Sequence, residues 1–164
     1  MENIKKDQII YRKATRDDCS QMTDLINSFA REGLMLYKSK AKILAMLPHY
    51  FVAAYEKRII STVGFKIWAD YQVELISLAT CVEFQRKGIG NTILKICIDE
   101  ACALGFRNFF TLTVQPALFA RIGFNLTDHK NLHCKIYTDC ADCARNAGGP
   151  GDPRCNEVAL TLSI

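Results

Sequence analysis

The sequence predicts a mixed α/β domain in which a mostly antiparallel sheet is flanked by helices. Segments with strand and helix patterns alternate along the chain in the order β-α-α-β-β-β-α-β-α-β. Two early strands are joined by a short polar turn, as in a hairpin, whereas two later strands are separated by a helix. The length of 164 residues suits one domain over 1–164, and 49% hydrophobic with 23% charged residues excludes a disordered chain.

The first half of the chain supplies one strand, two helices and a hairpin. The segment QIIYRKAT has strand composition, and Thr15 or Asp17 can cap a helix that stops at Gly33. A second, shorter helix is capped by Ser39 and ends at Pro48. YFVAAYE and RIISTVGFKIW, separated by polar residues, predict an antiparallel hairpin.

The second half begins with the long strand QVELISLATCV and the amphipathic helix GNTILKICIDEACALG. RNFFTLTV predicts another strand, PALFARIGF a short helix that begins at Pro116, and EVALTLSI the final strand. Before that last strand, a segment rich in Cys, Gly and Pro at about residues 134–155 is expected to form an irregular loop.

Charge and hydropathy limit the classes of partner. The chain has 21 Lys and Arg against 17 Asp and Glu, and the resulting net charge of +4 is too small to predict nucleic-acid binding. No apolar run reaches the ~18–20 residues of a membrane span, and the polar N-terminus lacks the apolar centre of a signal peptide. We expect a cytoplasmic protein with a small-molecule partner, and homodimer formation is left open.

A glycine-containing turn, Gln85-Arg86-Lys87-Gly88-Ile89-Gly90, joins the long strand to the amphipathic helix. A helix N-terminus exposes amide groups that attract anions, and glycine lets a phosphate approach them. The turn is not a Walker A loop, because no Gly-Lys-Ser/Thr follows, and it lacks the third glycine of a dinucleotide fingerprint. It therefore predicts a phosphate cradle of another kind.

This turn resembles the Gln/Arg-x-x-Gly-x-Gly/Ala signature of the GNAT family of N-acetyltransferases. The segment LFARIGF is similar to the family's Leu-Tyr-x-x-x-Gly-Phe segment, and the resemblance extends over roughly residues 9–130. It implies the GNAT acyl-CoA N-acyltransferase fold and acetyl-CoA as the donor. The pyrophosphate would contact the turn, and the pantetheine arm would pair with strand backbone. The residues that the resemblance assigns to the donor are Leu78, Ala79, Thr80, Gln85, Arg86, Lys87, Gly88, Ile89, Gly90 and Asn91.

The resemblance also suggests a chemical role for Glu74. An acceptor amine must lose a proton before it attacks the thioester, and a carboxylate can take that proton. In several family members a glutamate at this distance before the signature acts as general base; a solvated or salt-bridged glutamate is the alternative for Glu74. Phe119 stands where many members carry a proton-donating tyrosine, so the general acid is unassigned, with Tyr37 and Tyr71 as candidates.

Within the family, the chain resembles the acetyltransferase domain of bacterial N-acetylglutamate synthases. The segment Gly33-Leu34-Met35-Leu36-Tyr37-Lys38-Ser39 is similar to the one whose basic residue holds the substrate carboxylates, and Arg12 matches a second basic position. Ordinary surface charge is the alternative for both. The resemblance implies an amino acid such as glutamate as acceptor, and a place in arginine biosynthesis. A protein N-terminal or lysine acetyltransferase, or a non-catalytic acetyl-CoA- or metal-binding module, stays open.

Four of the eight cysteines fall in the segment at about 134–155, where they are candidate ligands for a metal ion as well as candidate free thiols. A Cys-x-x-Cys pair followed by a later cysteine can bind a structural zinc ion, which would stabilise a loop with little core of its own. Reduced free thiols are the alternative. The candidate zinc ligands are Cys140, Cys143, Cys155 and Cys134.

Overall fold

The structure, a computed structural model, describes residues 6–143 and 155–164. Its strands are β1 (Ile9–Lys13), β2 (Tyr50–Tyr55), β3 (Arg58–Ile67), β4 (Gln72–Thr80), β5 (Asn108–Thr113), β6 (Asn125–Thr127) and β7 (Val158–Ser163). Its α-helices are α1 (Cys19–Arg31), α2 (Lys40–Ala45), α3 (Ile89–Ala103), α4 (Pro116–Ala120) and α5 (His133–Tyr137). The predicted element order is confirmed, and two short elements, β6 and α5, are added to it.

Over the described residues the strands form a mixed sheet in the order β1-β2-β3-β4-β5-β7-β6. Strands β1, β2 and β3 pair antiparallel in sequence, as the hairpin pattern predicted. Strand β5 pairs parallel with β4 through Gln72–Glu74 and antiparallel with β7 on its other side. The parallel pair is possible because α3 carries the chain back between β4 and β5.

The chain divides into two compact units, of which the first comprises Met1–Lys66 and Leu75–Ala103. Its core is made by one face of α1 against the inner side of the early strands. Cys19, Met22 and Ile26, spaced three and four residues apart, are fully buried on that face. Helix α2 begins where the Ser39 hydroxyl accepts a hydrogen bond from the Lys42 amide at 3.2 Å, so the cap expected from the sequence is present.

The second unit comprises Ile67–Glu74 and Leu104–Ile164. Its apolar cluster contains Trp68, Phe110, Leu132, Ile136 and Ala159. Leu132 and Ile136, four residues apart, are buried and place one side of α5 against this cluster. The first residues of the segment expected to be an irregular loop therefore form a helix. Among the described residues, no helix has both the length and the apolar character needed to cross a membrane.

Candidate functional site

The turn after β4 is anchored at its beginning by two hydrogen bonds within the first unit. The Cys81 amide donates to the Ile60 carbonyl at 2.8 Å, and the Gln85 side chain donates through Nε2 to the Thr80 carbonyl at 3.0 Å. Phe84 between them is buried. The side chain of Gln85, the first residue of the signature, thus links the turn to the end of β4. This hydrogen bond fixes the backbone from which the rest of the turn continues.

The backbone of this turn forms a concave cradle at the start of α3. Arg86 and Gly88 both have left-handed φ values, of 59° and 87°. The first hydrogen bond of α3 runs from the Thr92 amide to the Gly88 carbonyl at 3.0 Å. The amides of Ile89, Gly90 and Asn91 therefore precede the helical hydrogen-bond ladder and point out of the helix N-terminus. Together with the exposed Arg86 side chain, they suit an anion.

Glycine suits position 88 because of its backbone conformation. Its φ of 87° lies where residues with a Cβ are strained, and no described atom lies within 4 Å of the position that a Cβ would take. The space that a Cβ would take at this position, next to the first residue of α3, is therefore open.

The carboxyl half of β4 departs from regular strand geometry. Ser77 has a left-handed φ of 55°, and its hydroxyl lies 3.0 Å from the Tyr50 hydroxyl. The register that joins β4 to β5 covers Gln72–Glu74, and within the described residues Leu78, Ala79 and Thr80 lie outside it. The sequence carried no signal for this irregularity, because serine is not a residue that favours positive φ.

Glu74 lies in the second unit, 5% exposed, and both of its carboxylate oxygens have a partner. Oε1 lies 2.8 Å from Nζ of Lys135, and Oε2 accepts a hydrogen bond from Nε1 of Trp68 at 3.1 Å. Lys135 also contacts Asp139 at 3.2 Å. Glu74 is thus the salt-bridged glutamate that the sequence left as an alternative, and its role as a base stays a prediction.

Lys135 keeps its charge in this buried position. Burial alone would lower the pKa of its ammonium group, but the attraction and hydrogen bonding of Glu74, with a smaller contribution from Asp139, raise the pKa above its ordinary value. Its Nζ also lies 5.6 Å from the centre of the Trp68 ring. Sequence reasoning missed Lys135, because it comes from a five-residue helix with no motif of its own.

The two residues expected to hold the acceptor are both in the first unit. Arg12 binds Asp18 through both terminal nitrogens, at 2.6 and 2.9 Å, in a fork that suits a carboxylate. Lys38 is held by its backbone, whose amide and carbonyl bond the Asn27 side chain at 3.0 and 2.9 Å. The structure therefore places Arg12 in a local ion pair, and ties the segment between α1 and α2 to α1.

The zinc site expected from the cysteines is not supported. Across the described ranges 6–143 and 155–164, no group of three or more His, Cys, Asp or Glu side chains is placed to hold a metal ion. The eight cysteines, all of which lie among the described residues, form no disulfide with one another. Cys134 and Cys140 instead pack against the apolar cluster of the second unit, and burial raises the pKa of Cys140 to about 11. A structural zinc ion needs four ligands that converge on one point, and these two thiols are engaged in apolar packing.

The position of the missing tyrosine is filled by a packed ring. Phe119 in α4 is buried, and its ring meets that of Phe124 edge-on, with centroids 5.6 Å apart. It contributes to packing in the second unit and cannot donate a proton.

These features define a class of protein. A mixed sheet with one irregular central strand, followed by an anion cradle at a helix N-terminus, is the architecture of acyl-CoA N-acyltransferases. The chain belongs to the Acetyltransferase (GNAT) family, which it matches over residues 18–124. The family and fold predicted from the sequence are confirmed.

Relatives of similar sequence are acetyltransferases. An uncharacterized N-acetyltransferase of Chlorobaculum tepidum is 27% identical over 93% of this chain and 95% of its own length. An amino-acid acetyltransferase of Pseudomonas syringae is 27% identical over 68% of this chain, but the match spans only 26% of that longer protein.

Solved structures give the same fold. N-acetylglutamate synthase from Neisseria gonorrhoeae, complexed with coenzyme A and N-acetyl-glutamate, superimposes with a TM-score of 0.83 at 20% identity, over 95% of this chain and 35% of that one. A Mycobacterium tuberculosis protein in complex with CoA gives a TM-score of 0.79 at 18% identity, over 94% and 99% of the two chains. At these identities the likeness is one of fold.

Proposed function

We propose that this chain is an acetyl-CoA-dependent N-acetyltransferase whose acceptor is a small amine, an amino acid such as glutamate. The observation that carries the proposal is the cradle, in which the first three amides of α3 precede the helical hydrogen-bond ladder, beside the exposed Arg86 and the open position of Gly88. A pyrophosphate carries two negative charges in adjacent groups, and several amides pointing the same way suit it. The coenzyme A in the neighbouring structures supports the same donor.

The donor's pantetheine arm is proposed to pair with the backbone of Leu78, Ala79 and Thr80. An extended, amide-containing arm can add to a strand wherever the strand's own ladder stops, as β4's pairing with β5 does after Glu74. The Ala79 carbonyl already accepts from the Ser61 hydroxyl at 2.9 Å, which holds this part of β4 against β3 in the first unit.

The proposed chemistry is direct attack. The acceptor nitrogen bonds to the thioester carbonyl carbon, the carbon–sulfur bond breaks, and the amine proton passes to the carboxylate of Glu74. A thiol with a pKa of about 8.5, as for cysteine, can leave as the thiolate near neutral pH. This route needs no acid at position 119, where a buried Phe stands.

The acceptor is inferred from the relatives and from two basic residues of the first unit, Lys38 and Arg12. Amino-acid acetyltransferases are among the similar sequences, and a glutamate-derived ligand is bound in the neighbouring synthase. Lys38 is the basic residue assigned to the acceptor carboxylate. Arg12 could contribute only by exchanging Asp18 for the substrate, because both of its terminal nitrogens bind that residue.

A thiol-release assay tests the proposal. The protein is mixed with acetyl-CoA and each of the twenty amino acids, and free coenzyme A is measured. Release above hydrolysis with at least one amino acid is expected, with glutamate the fastest. Release only with a peptide amine would replace the amino-acid acceptor by a protein N-terminus or lysine.

The cradle itself is tested by Gly88→Ala, with Gly105→Ala as the matched control. Both glycines have left-handed φ, of 87° and 96°, with no described atom within 4 Å of the added Cβ, so the backbone strain is alike. Only position 88 adds a methyl group to the cradle. We expect the KM for acetyl-CoA to rise about tenfold, or ~1.4 kcal/mol, in Gly88→Ala alone. Equal KM values in both variants would remove the cradle from donor binding.

A further inference from the structure

Glu74 is the base of the proposed reaction, whereas its buried partner Lys135 has no role in that chemistry so far. The side chains of Lys135 and Glu74 are 13% and 6% exposed. Removing two charges from water is costly, and an apolar pair of similar volume would stabilise the unit as well or better. Stability alone therefore does not account for a lysine and a glutamate at these two positions.

The geometry of the pair fixes the carboxylate in one orientation. Each oxygen of Glu74 has a different donor: Lys135 supplies a charge to Oε1, and the Trp68 indole supplies a neutral hydrogen bond to Oε2. The Lys135 ammonium group also lies over the Trp68 ring. Each of the three side chains thus contacts the other two, and none can rotate without breaking a contact with both.

Two of the three side chains lie inside the segment that matches the family, and the third lies after it. Glu74 belongs to β4, and Trp68 directly follows β3, so both lie inside the segment that matches the family, 18–124. Lys135 belongs to α5, which lies after that segment. The apolar residues Leu132 and Ile136 pack α5 against the cluster that contains Trp68, and this packing brings Lys135 to the carboxylate.

We propose that Lys135 is a positioning residue for Glu74, which holds the carboxylate in the orientation that receives the acceptor's proton. The inference rests on the proposed function, in which Glu74 is the base. A buried carboxylate without a cation takes up a proton more readily, and a protonated base is inactive. Lys135 would therefore extend activity toward acidic pH.

Among the described residues, Asp139 and Cys140 also face the pair. Asp139, one helical turn after Lys135, shares its ammonium group at 3.2 Å and so competes with Glu74 for the cation. The Cys140 thiol is neutral at physiological pH, because burial raises its pKa to about 11. Removing the charge of Asp139 should therefore shift the pH profile in the opposite direction to removing the charge of Lys135. The direction of the two shifts tests the proposal.

The experiment compares pH profiles of thiol release from acetyl-CoA, with the fastest amino acid of the panel as acceptor. In Lys135→Met, which keeps the length of the apolar stem, we expect the acidic limb of kcat/KM to move up by about one pH unit. At pH 7 the loss of orientation is expected to lower kcat about tenfold, with an unchanged KM for acetyl-CoA. Lys135→Arg should restore the limb, and Asp139→Asn should move it to lower pH.

Controls separate positioning from folding. Lys130→Met changes an exposed lysine in the turn before α5 and should leave the profile unchanged. A double-mutant cycle of Glu74→Gln and Lys135→Met, in which the free energy of unfolding is measured with urea, gives the coupling energy of the pair without any substrate. If Lys135 were merely structural, its replacement would lower the free energy of unfolding but leave the acidic limb of the pH profile of the folded enzyme in place.

The outcomes distinguish the two proposals. A wild-type chain that releases no thiol with any amine overturns the proposed function and, with it, a positioning role. An active wild-type chain whose Lys135→Met variant keeps the wild-type pH limb overturns the positioning role alone. Full activity of Glu74→Gln overturns the positioning role together with the assignment of Glu74 as base, while an acetyltransferase that uses another base still stands.

Discussion

At the scale of the residue, Asp18 shows how one buried carboxylate organises the beginning of a helix. It accepts hydrogen bonds from Arg12 at 2.6 and 2.9 Å, and from the amide and hydroxyl of Thr15 at 2.7 and 2.9 Å. The hydrogen bond of Arg12 is the largest of the effects that together lower the pKa of Asp18 to about 2. Arg12 therefore contributes to the local fold through this ion pair, which the charge of the residue alone did not predict.

This pKa gives a prediction for stability against pH. Because the folded-state pKa is depressed, the stabilisation is complete above the unfolded value of about 3.9 and is lost as pH falls toward 2. The shift corresponds to about 2 kcal/mol. Asp18→Asn should therefore lower the free energy of unfolding by about 2 kcal/mol at pH 6, measured with urea, and by progressively less between pH 4 and 2.

Asp17→Asn is the matched control for that measurement, because Asp17 is the exposed neighbour in the same turn. It should change stability little at any of these pH values. A deficit of Asp18→Asn that stays constant from pH 6 to 2 would show that the charge of Asp18 is not the source of its contribution.

At the scale of the element, the sequence predicted the helices and strands that are long enough to show a hydrophobic period. Helices α1 and α3 and the hairpin of β2 and β3 have enough residues to show a period, and Ser39 gave a cap that the structure has. β6 and α5 have three and five residues, too few for any period, and were missed. The cradle was predicted because its residues are contiguous, whereas the contact of Glu74 with Lys135 joins distant parts of the chain.

The pairing of β2 with β3 contains a contact that only glycine permits. Gly64 lies opposite Tyr50, and a Cβ added there would stand 2.8 Å from two atoms of the tyrosine ring. Tyr50 is 1% exposed, and its hydroxyl meets Ser77, so the ring has little room to move. Gly64→Ala should cost about 1–3 kcal/mol of unfolding free energy, measured by urea denaturation.

A double variant locates the cause of that cost. Tyr50→Leu removes the ring that the new Cβ would touch, so the penalty of Gly64→Ala should shrink when the two changes are combined. Strictly additive penalties would mean that the cost arises elsewhere than at the ring.

At the scale of the whole molecule, two compact units each have an apolar cluster of their own. The residues proposed to bind the donor belong to the first unit, and Glu74 with its partners belongs to the second. The alternative of a metal-stabilised loop in the second unit arose because four cysteines fall close together in sequence. Spacing in sequence does not determine which way each thiol points, and Cys134 and Cys140 pack inward.

The stability of the second unit is therefore expected to be independent of metal. Cys134 and Cys140 are held by apolar contacts with the cluster that contains Trp68 and Ile136, and these contacts are unaffected by a chelator. The thermal midpoint should be the same within a degree or so with and without EDTA in reducing buffer, since a structural zinc ion would supply much of a small unit's folding free energy. A midpoint that falls with EDTA and recovers with added zinc would restore the metal site and displace apolar packing as the role of these cysteines.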